Sequence, residues 1–128
     1  MAVTSIEATA TVYVAGGYTQ SVTTFDPIQN VNICWLEKET MPLVELLEPV
    51  DETSPVNKTL EKNGVTPYHT YYIVDNLEEA TAELREMRYV QVRKPADAVA
   101  IGNCRVAFYC NKNVGVIKLV EAPATITT

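Results

Sequence analysis

The stretch PYHTYYIVDNLEEA, residues 67–80, joins a strand-like segment directly to a helix-like one. Tyr68–Val74 consists largely of tyrosine, isoleucine and valine, which are typical of β-strands. Asp75 is a candidate helix N-cap, with Glu78 three residues later as in a capping box. The stretch therefore predicts a strand followed by an amphipathic helix. Its apolar face recurs at helical spacing through Leu77, Ala80, Leu84 and Met87.

The residues after this helix predict further strands. Asn111-Lys112-Asn113 is a turn that joins the last two of them. The second half is therefore predicted to be a β-α-β-β-β unit. Four segments after the helix are strand-like, one more than the three strands of this unit: Tyr89–Val92, Ala98–Ile101, Arg105–Cys110 and Gly115–Val120.

The first half is predicted to be a weaker copy of the same unit. Ser5–Ala15 is its helix, closed by Gly16-Gly17. The β-branched residues within Thr9–Val14 leave a strand as the alternative for that segment. Too few residues precede Ser5 for a leading strand, so the first module is expected to lack it. Its three remaining strands are predicted at Tyr18–Phe25, Gln29–Leu36 and Pro42–Leu47.

A short helix is predicted between the two modules. Ser54 is its candidate N-cap, Pro55 takes the first helical position, and Asn63-Gly64 ends it. The length of 128 residues predicts one domain spanning 1–128, with modules at about 5–48 and 67–121 joined by this linker helix at about 54–63.

Composition narrows the class of protein. The net charge of −6 and the scattered basic residues argue against binding to nucleic acid or to an anionic membrane surface. No apolar run approaches the roughly 20 residues of a membrane span. No signal peptide is visible, and the three cysteines lie in apolar strand-like segments, as reduced thiols do in a cytoplasm. We therefore expect a cytoplasmic protein.

Three polar residues stand among apolar neighbours on predicted strands. Side chains alternate along a strand, so Glu45 shares a face with leucines, His69 with Tyr71, and Lys118 with valines. A lone buried charge is costly, so Glu45 and Lys118 are expected to be paired or to lie in a solvated cavity.

Eight stretches of the chain together carry a family resemblance: Asp26–Val31, Leu43–Val50, Ser54–Asn57, Asn63-Gly64, Tyr68-His69, Val74–Ala80, Arg105–Phe108 and Asn111–Gly115. They resemble the vicinal oxygen chelate superfamily, which includes the glyoxalases, bleomycin resistance proteins and methylmalonyl-CoA epimerase-like proteins. The resemblance covers about Ile6 to Glu121. It implies an α+β fold in which two βαβββ modules form a curved mixed sheet.

The resemblance also implies a site. Members of the superfamily hold a divalent metal with four side chains, and Glu45 and His69 match two of those positions. Lys118 stands at the fourth position, and the first has no counterpart because its strand is missing. Active members of this type are lyases or isomerases, and the candidate catalytic residues here are Glu45 and Lys118.

Three hypotheses follow for function. In the first, Lys118 replaces the metal's charge, no cofactor is needed, and Glu45, His69, Lys118 and Tyr71 bind a small carboxylate or carbonyl compound. In the second, one divalent metal ion bound by Glu45 and His69 serves a lyase or epimerase whose site a dimer partner completes. In the third, the protein is structural and its pocket is filled.

The missing leading strand predicts an unpaired sheet edge. Met1–Ser5 could pair in a shortened form, the tail Ala124–Thr128 could fold back, or a second chain could cover the edge. A homodimer is the expected assembly.

Overall fold

The computed structural model describes residues 1–98 and 104–121, which divide into two compact units, Met1–Tyr68 and a second unit that begins at His69. Each unit carries one module with its own four-stranded sheet. The α+β class and the two βαβββ modules, the first without a leading strand, are confirmed. The single-domain organisation stays a prediction. Among the described residues, no helix has the length and apolar character needed to cross a membrane.

The first unit begins with helix α1, Ile6–Ala15. The Ser5 side chain accepts a hydrogen bond from the Ala8 N–H at 3.1 Å and so caps the helix start. Gly17 follows the helix with φ of 95°, a conformation that favours glycine. The predicted helix is therefore confirmed, and the alternative strand at Thr9–Val14 is wrong. The helix packs on the sheet through a core formed by Val3, Ile6, Ala10, Cys34, Leu36 and Leu46.

Strand β3, Val31–Glu37, is the centre of the first sheet. It pairs antiparallel with β4, Val44–Pro49, on one side. On the other side the predicted strand Tyr18–Phe25 is divided into β1, Thr19–Gln20, and β2, Thr24–Asp26. The division has a local cause, because the Ser21 hydroxyl accepts the Trp35 N–H at 2.8 Å in place of a backbone carbonyl.

A single residue stands where the module's leading strand would lie. Ala2 forms a parallel bridge to Leu47 of β4 and an antiparallel bridge to Thr66. Its N–H donates to the Thr66 carbonyl at 2.9 Å, and the Leu47 N–H donates to the Met1 carbonyl at 2.8 Å. Pairing of the N-terminal residues in a shortened form is thus observed. The alternative involving the tail Ala124–Thr128 lies outside the described residues.

Helix α2 spans Val56–Asn63, and Gly64 follows it with φ of 70°. The predicted N-cap at Ser54 is wrong, because Pro55 occupies the cap position without a side-chain hydrogen bond. The Ser54 hydroxyl instead accepts the Val50 N–H at 3.0 Å and donates to the Asn30 carbonyl. Its hydrogen-bonding capacity is used to hold the preceding loop.

The second unit contains β5 (Thr70–Val74), α3 (Leu77–Glu86), β6 (Val90–Ala98), β7 (Cys104–Asn111) and β8 (Gly115–Glu121). The sheet order is β5-β8-β7-β6, with β5 parallel to β8 and the other pairs antiparallel. Where two strands were predicted at Tyr89–Val92 and Ala98–Ile101, β6 is continuous from Val90 to Ala98. Residues 99–101 of that prediction lie outside the described residues.

Helix α3 covers one face of this sheet. Its N-cap is Asn76, whose side chain accepts the Glu79 N–H at 2.8 Å, so the predicted cap at Asp75 is wrong by one residue. Asn76 has the extended backbone of a cap residue, with φ of −141° and ψ of 118°. The buried interface consists of Leu77, Leu84, Ala107, Tyr109, Ile117 and Leu119. The side chains that alternate with these on β7 and β8 face away from α3.

An ion-paired arginine connects α3 to both central strands. Arg105 of β7 contacts Glu78 of α3 at 2.9 Å and Glu121 of β8 at 2.7 Å. Glu121 also accepts the Leu77 N–H at 2.9 Å, at the first residue of the helix. These contacts fix the helix start relative to the end of β8.

Candidate functional site

Lys118 is a buried cation in the middle of the second sheet. Lys118 is 2% exposed, and it lies opposite Tyr71 on β5 and Phe108 on β7. Residues directly opposite on neighbouring strands share a face. The Lys118 Nζ lies 5.4 Å from the Tyr71 ring centroid and 5.9 Å from that of Phe108. Attraction to the two π-faces offsets part of the cost of burying the ammonium.

His69 contacts the same phenylalanine. His69 was predicted to lie on a strand, but it lies one residue before β5, which begins at Thr70. Its ring meets Phe108 edge-on, with centroids 5.4 Å apart and an interplanar angle of 88°. Burial, assisted by the nearby Lys118 charge, lowers the pKa of His69 from 6.5 to about 3. His69 is therefore neutral at physiological pH, with one ring nitrogen able to donate a hydrogen bond and the other to accept one.

These four residues, His69, Tyr71, Phe108 and Lys118, form what we call the Lys118 face. It is the side of the second sheet away from α3. It combines one ammonium, one neutral imidazole, one phenol and one phenyl ring. Such a surface can donate hydrogen bonds to a carboxylate or carbonyl oxygen and contact a short carbon chain.

Glu45, the remaining predicted site residue, belongs to the first unit. It is 7% exposed and lies on β4 opposite Trp35 of β3. Its neighbours Val44 and Leu46 face α1, so the carboxylate is on the other side of that sheet. The structure thus brings His69, Tyr71 and Lys118 together in one unit and places Glu45 in the other. The predicted roles of Glu45 in catalysis and ligand binding stay predictions.

Arg93 is a polar neighbour of the Lys118 face that the sequence did not indicate. It lies on β6 opposite Phe108, with its guanidinium carbon 5.6 Å from the ring centroid. The alternation of Val90-Gln91-Val92-Arg93 would assign Arg93 to the same face as Gln91, and the observed pairing places it on the other face. Only the strand pairing reveals the contact.

The described residues fit a divalent metal poorly. In the parts of the chain that the structure covers, no group of three or more His, Cys, Asp or Glu side chains could hold a metal ion. His69 is neutral, as a metal ligand must be, but the Lys118 ammonium is close enough to lower its pKa. A cation there repels a metal ion, and catalytic metal sites generally use three protein ligands.

Comparison with known proteins identifies the family. The profile of the Glyoxalase/Bleomycin resistance protein/Dioxygenase superfamily matches residues 1–108. The chain belongs to this superfamily. The resemblance to glyoxalase-like proteins of the vicinal oxygen chelate type is thereby confirmed. No curated protein matches this glyoxalase superfamily member in sequence.

Several solved structures share the fold of this glyoxalase superfamily member. A hypothetical protein of Bacillus halodurans C-125 has a TM-score of 0.85 and 27% identity, covering 99% of this chain and 93% of that chain. Methylmalonyl-CoA epimerase from Mycobacterium tuberculosis has a TM-score of 0.82 and 23% identity, covering 94% and 82%. A variant of the Streptomyces coelicolor epimerase, in complex with 2-nitronate-propionyl-CoA, has a TM-score of 0.82 and 24% identity, covering 96% and 93%. At these identities the epimerases show the fold alone.

Proposed function

We propose that this glyoxalase superfamily member binds a small carboxylate or carbonyl compound at the Lys118 face, without a resident metal. The observation that carries the proposal is the burial of Lys118 between the rings of Tyr71 and Phe108. A charged hydrogen bond from an ammonium in a water-poor environment is stronger than the same bond at a solvated surface.

Each polar group of the face has a distinct part in this binding. Lys118 donates to the ligand's carboxylate or polarised carbonyl oxygen. His69 donates from a neutral ring, so it adds a hydrogen bond without a second charge. The Tyr71 hydroxyl either donates to the ligand or accepts from it. The epimerase complex with 2-nitronate-propionyl-CoA supports this class of ligand, since that compound joins an anionic group to an acyl chain.

The alternative of a metal-dependent lyase or epimerase has weaker support. In that chemistry a metal polarises a carbonyl and stabilises the developing negative charge. Here the Lys118 ammonium supplies positive charge at the face, and the described residues offer no three-ligand group. We therefore assign binding, rather than metal-assisted catalysis, to the Lys118 face.

The first prediction concerns the charge of Lys118. Lys118→Met keeps the unbranched stem and removes the ammonium, so affinity for a carboxylate ligand should fall about 10- to 100-fold, the value of a charged hydrogen bond. Titration of a panel of short-chain carboxylates and 2-oxo acids, followed by NMR chemical shifts, measures the change. Lys112→Met, in the exposed turn between β7 and β8, is the matched control and should bind as the wild type does.

Two results would contradict this proposal. One is equal affinity of Lys118→Met and the wild type, with thermal unfolding showing that both are folded. The other is a stoichiometric divalent metal in the purified protein that is lost in Glu45→Ala or His69→Ala. The second result would favour the metal-dependent alternative.

We also propose that the protein forms a homodimer. Both edge strands of the second sheet expose large apolar side chains, which isolated sheet edges usually avoid. Val90 and Val92 of β6 are 65% and 55% exposed. Tyr72 and Ile73 of β5 are also exposed. A second copy of the chain would cover such an edge.

A further inference from the structure

Arg93 completes a row of side chains that crosses all four strands of the second sheet. Pairing places Tyr71 opposite Lys118, Lys118 opposite Phe108, and Phe108 opposite Arg93. Aromatic rings and cations alternate along this row. Phe108 is shared, since the Lys118 Nζ lies 5.9 Å and the Arg93 guanidinium carbon 5.6 Å from its centroid.

An irregularity in the strand pairing puts Arg93 in this row. Between the pairs Gln91–Tyr109 and Arg93–Phe108, β6 advances by two residues while β7 advances by one. A regular ladder would place Val92 opposite Phe108 and Arg93 opposite Ala107, which belongs to the core beneath α3. The extra residue therefore transfers Arg93 to the Lys118 face. Such bulges redirect side chains and are common beside functional sites.

The shift is confined to the neighbourhood of Arg93. A second irregularity follows at once, between the pairs Arg93–Phe108 and Ala96–Val106. Beyond it the pairing continues through Asp97–Arg105. Among the residues described for β6, Arg93 is thus the one paired residue that lies between the two irregularities in the pairing with β7. The shift also keeps the Arg93 guanidinium out of the apolar core beneath α3, where a charge would be costly.

We propose that the ligand of the Lys118 face carries two anionic groups, one bound by Lys118 and the other by Arg93. This inference rests on the proposed function. Lys118 is buried and Arg93 is exposed, so the ligand enters with one anionic end and leaves the other at the sheet edge. The Phe108 ring lies between the two cations and contacts the connecting carbon chain.

The geometry limits the length and chemistry of this ligand. Neighbouring strands are about 4.8 Å apart, so the backbones of Lys118 and Arg93, two strands apart, are separated by about 10 Å. A chain of several carbons between the anionic groups matches that separation. The planar guanidinium binds either a carboxylate or a phosphate through two parallel hydrogen bonds. The second anionic group is therefore a carboxylate or a phosphate.

The experiment compares ligands with one and two anionic groups on the full chain. The probes are α,ω-dicarboxylates from succinate to pimelate, the corresponding ω-phosphonocarboxylates, and monocarboxylates of equal chain length. One member of the dianion series should bind about fivefold more tightly than its monocarboxylate, as expected for an exposed ion pair. Tighter binding of the dicarboxylates would identify the second group as a carboxylate, and tighter binding of the phosphonocarboxylates would identify it as a phosphate.

Arg93→Gln should abolish this preference, so that the variant binds each dianion and its monocarboxylate with equal affinity. Lys94→Gln, one residue away and with the same change in charge, should retain the preference. Equal binding of dianions and monocarboxylates by the wild type, still dependent on Lys118, would overturn this inference and leave the proposed function standing. Equal effects of Arg93→Gln and Lys94→Gln would also overturn it, because they would indicate bulk charge. Failure of every probe to bind would overturn both.

Discussion

At the scale of single residues, the Lys118 face shows how a buried charge is accommodated by its neighbours. The alternation of side chains predicted that His69 and Tyr71 share a face and that Lys118 lies among apolar residues. The sequence did not indicate that Phe108 contacts His69, Lys118 and Arg93 together. Those contacts depend on which residues of different strands lie opposite each other, and that is a non-local property.

His69 should make the stability of the protein depend on pH. Its pKa is about 3 in the folded protein and 6.5 as its ordinary value, so only the unfolded chain takes up a proton between these values. Stability is therefore fully present above pH 6.5 and is lost as the pH falls towards 3. Between about pH 7 and pH 5 the loss attributable to His69 is about 2 kcal/mol.

Urea unfolding of the wild type and of His69→Gln at those two pH values measures this contribution. The variant should lose about 2 kcal/mol less than the wild type on acidification, since glutamine does not titrate. The contributions of the carboxylates to the pH dependence are the same in both proteins, so they cancel in the comparison. Identical losses in the two proteins would show that His69 is protonated in the folded state.

At the scale of secondary-structure elements, the sequence predicted which elements form better than where they begin. Helix α3 was expected from its apolar periodicity, and it is present. Asp75 and Asn76 are adjacent and both are good cap residues, so the sequence pattern does not distinguish them. The choice depends on the backbone, because only the residue with extended φ and ψ next to the first helical turn can accept its N–H groups.

Exchange of these two residues tests the observed cap. Asn76→Ala should lower the free energy of unfolding by about 1 kcal/mol, because the Glu79 N–H loses its acceptor. Asp75→Ala removes a side chain of similar size from the preceding position and should change stability by less than about 0.5 kcal/mol. Thermal or urea unfolding gives both values, and a larger loss for Asp75→Ala would place the cap at Asp75.

The errors at Ser54 and at Tyr18–Phe25 share one cause. In each place a serine hydroxyl bonds to a distant part of the chain, Ser54 to Asn30 and Ser21 to Trp35. Local patterns treat serine as a cap or as a neutral strand residue. The partner that decides its role is more than ten residues away, so the local sequence does not contain the information.

At the scale of the whole molecule, the net charge of −6 opposes the approach of an anionic ligand. The attraction from the exposed Arg93 is short-ranged in salt, where such charges are screened beyond about 8 Å. Affinity for an anion must therefore arise from direct contact at the Lys118 face. Long-range steering by the protein's field contributes nothing to its capture.

The proposed homodimer gives the last prediction. The chain has a mass of 14.2 kDa, and light scattering of the wild type in solution should give about twice that value. Val90→Lys with Val92→Lys places two charges on the β6 edge and should return the mass to that of one chain. Val114→Lys, at a position 58% exposed in the β7–β8 turn, is the control and should remain dimeric. A wild type with the mass of one chain would exclude the dimer.

The rings on either side of Lys118 restrict how this protein can diverge. The faces of Tyr71 and Phe108 carry negative potential, which attracts an ammonium and repels a carboxylate. A change of Lys118 to glutamate, considered alone, would turn two favourable contacts into two unfavourable ones. A change of charge at this position is therefore favourable only together with a change of the rings. Relatives that carry an acidic residue at this position are expected to lack at least one of the two rings.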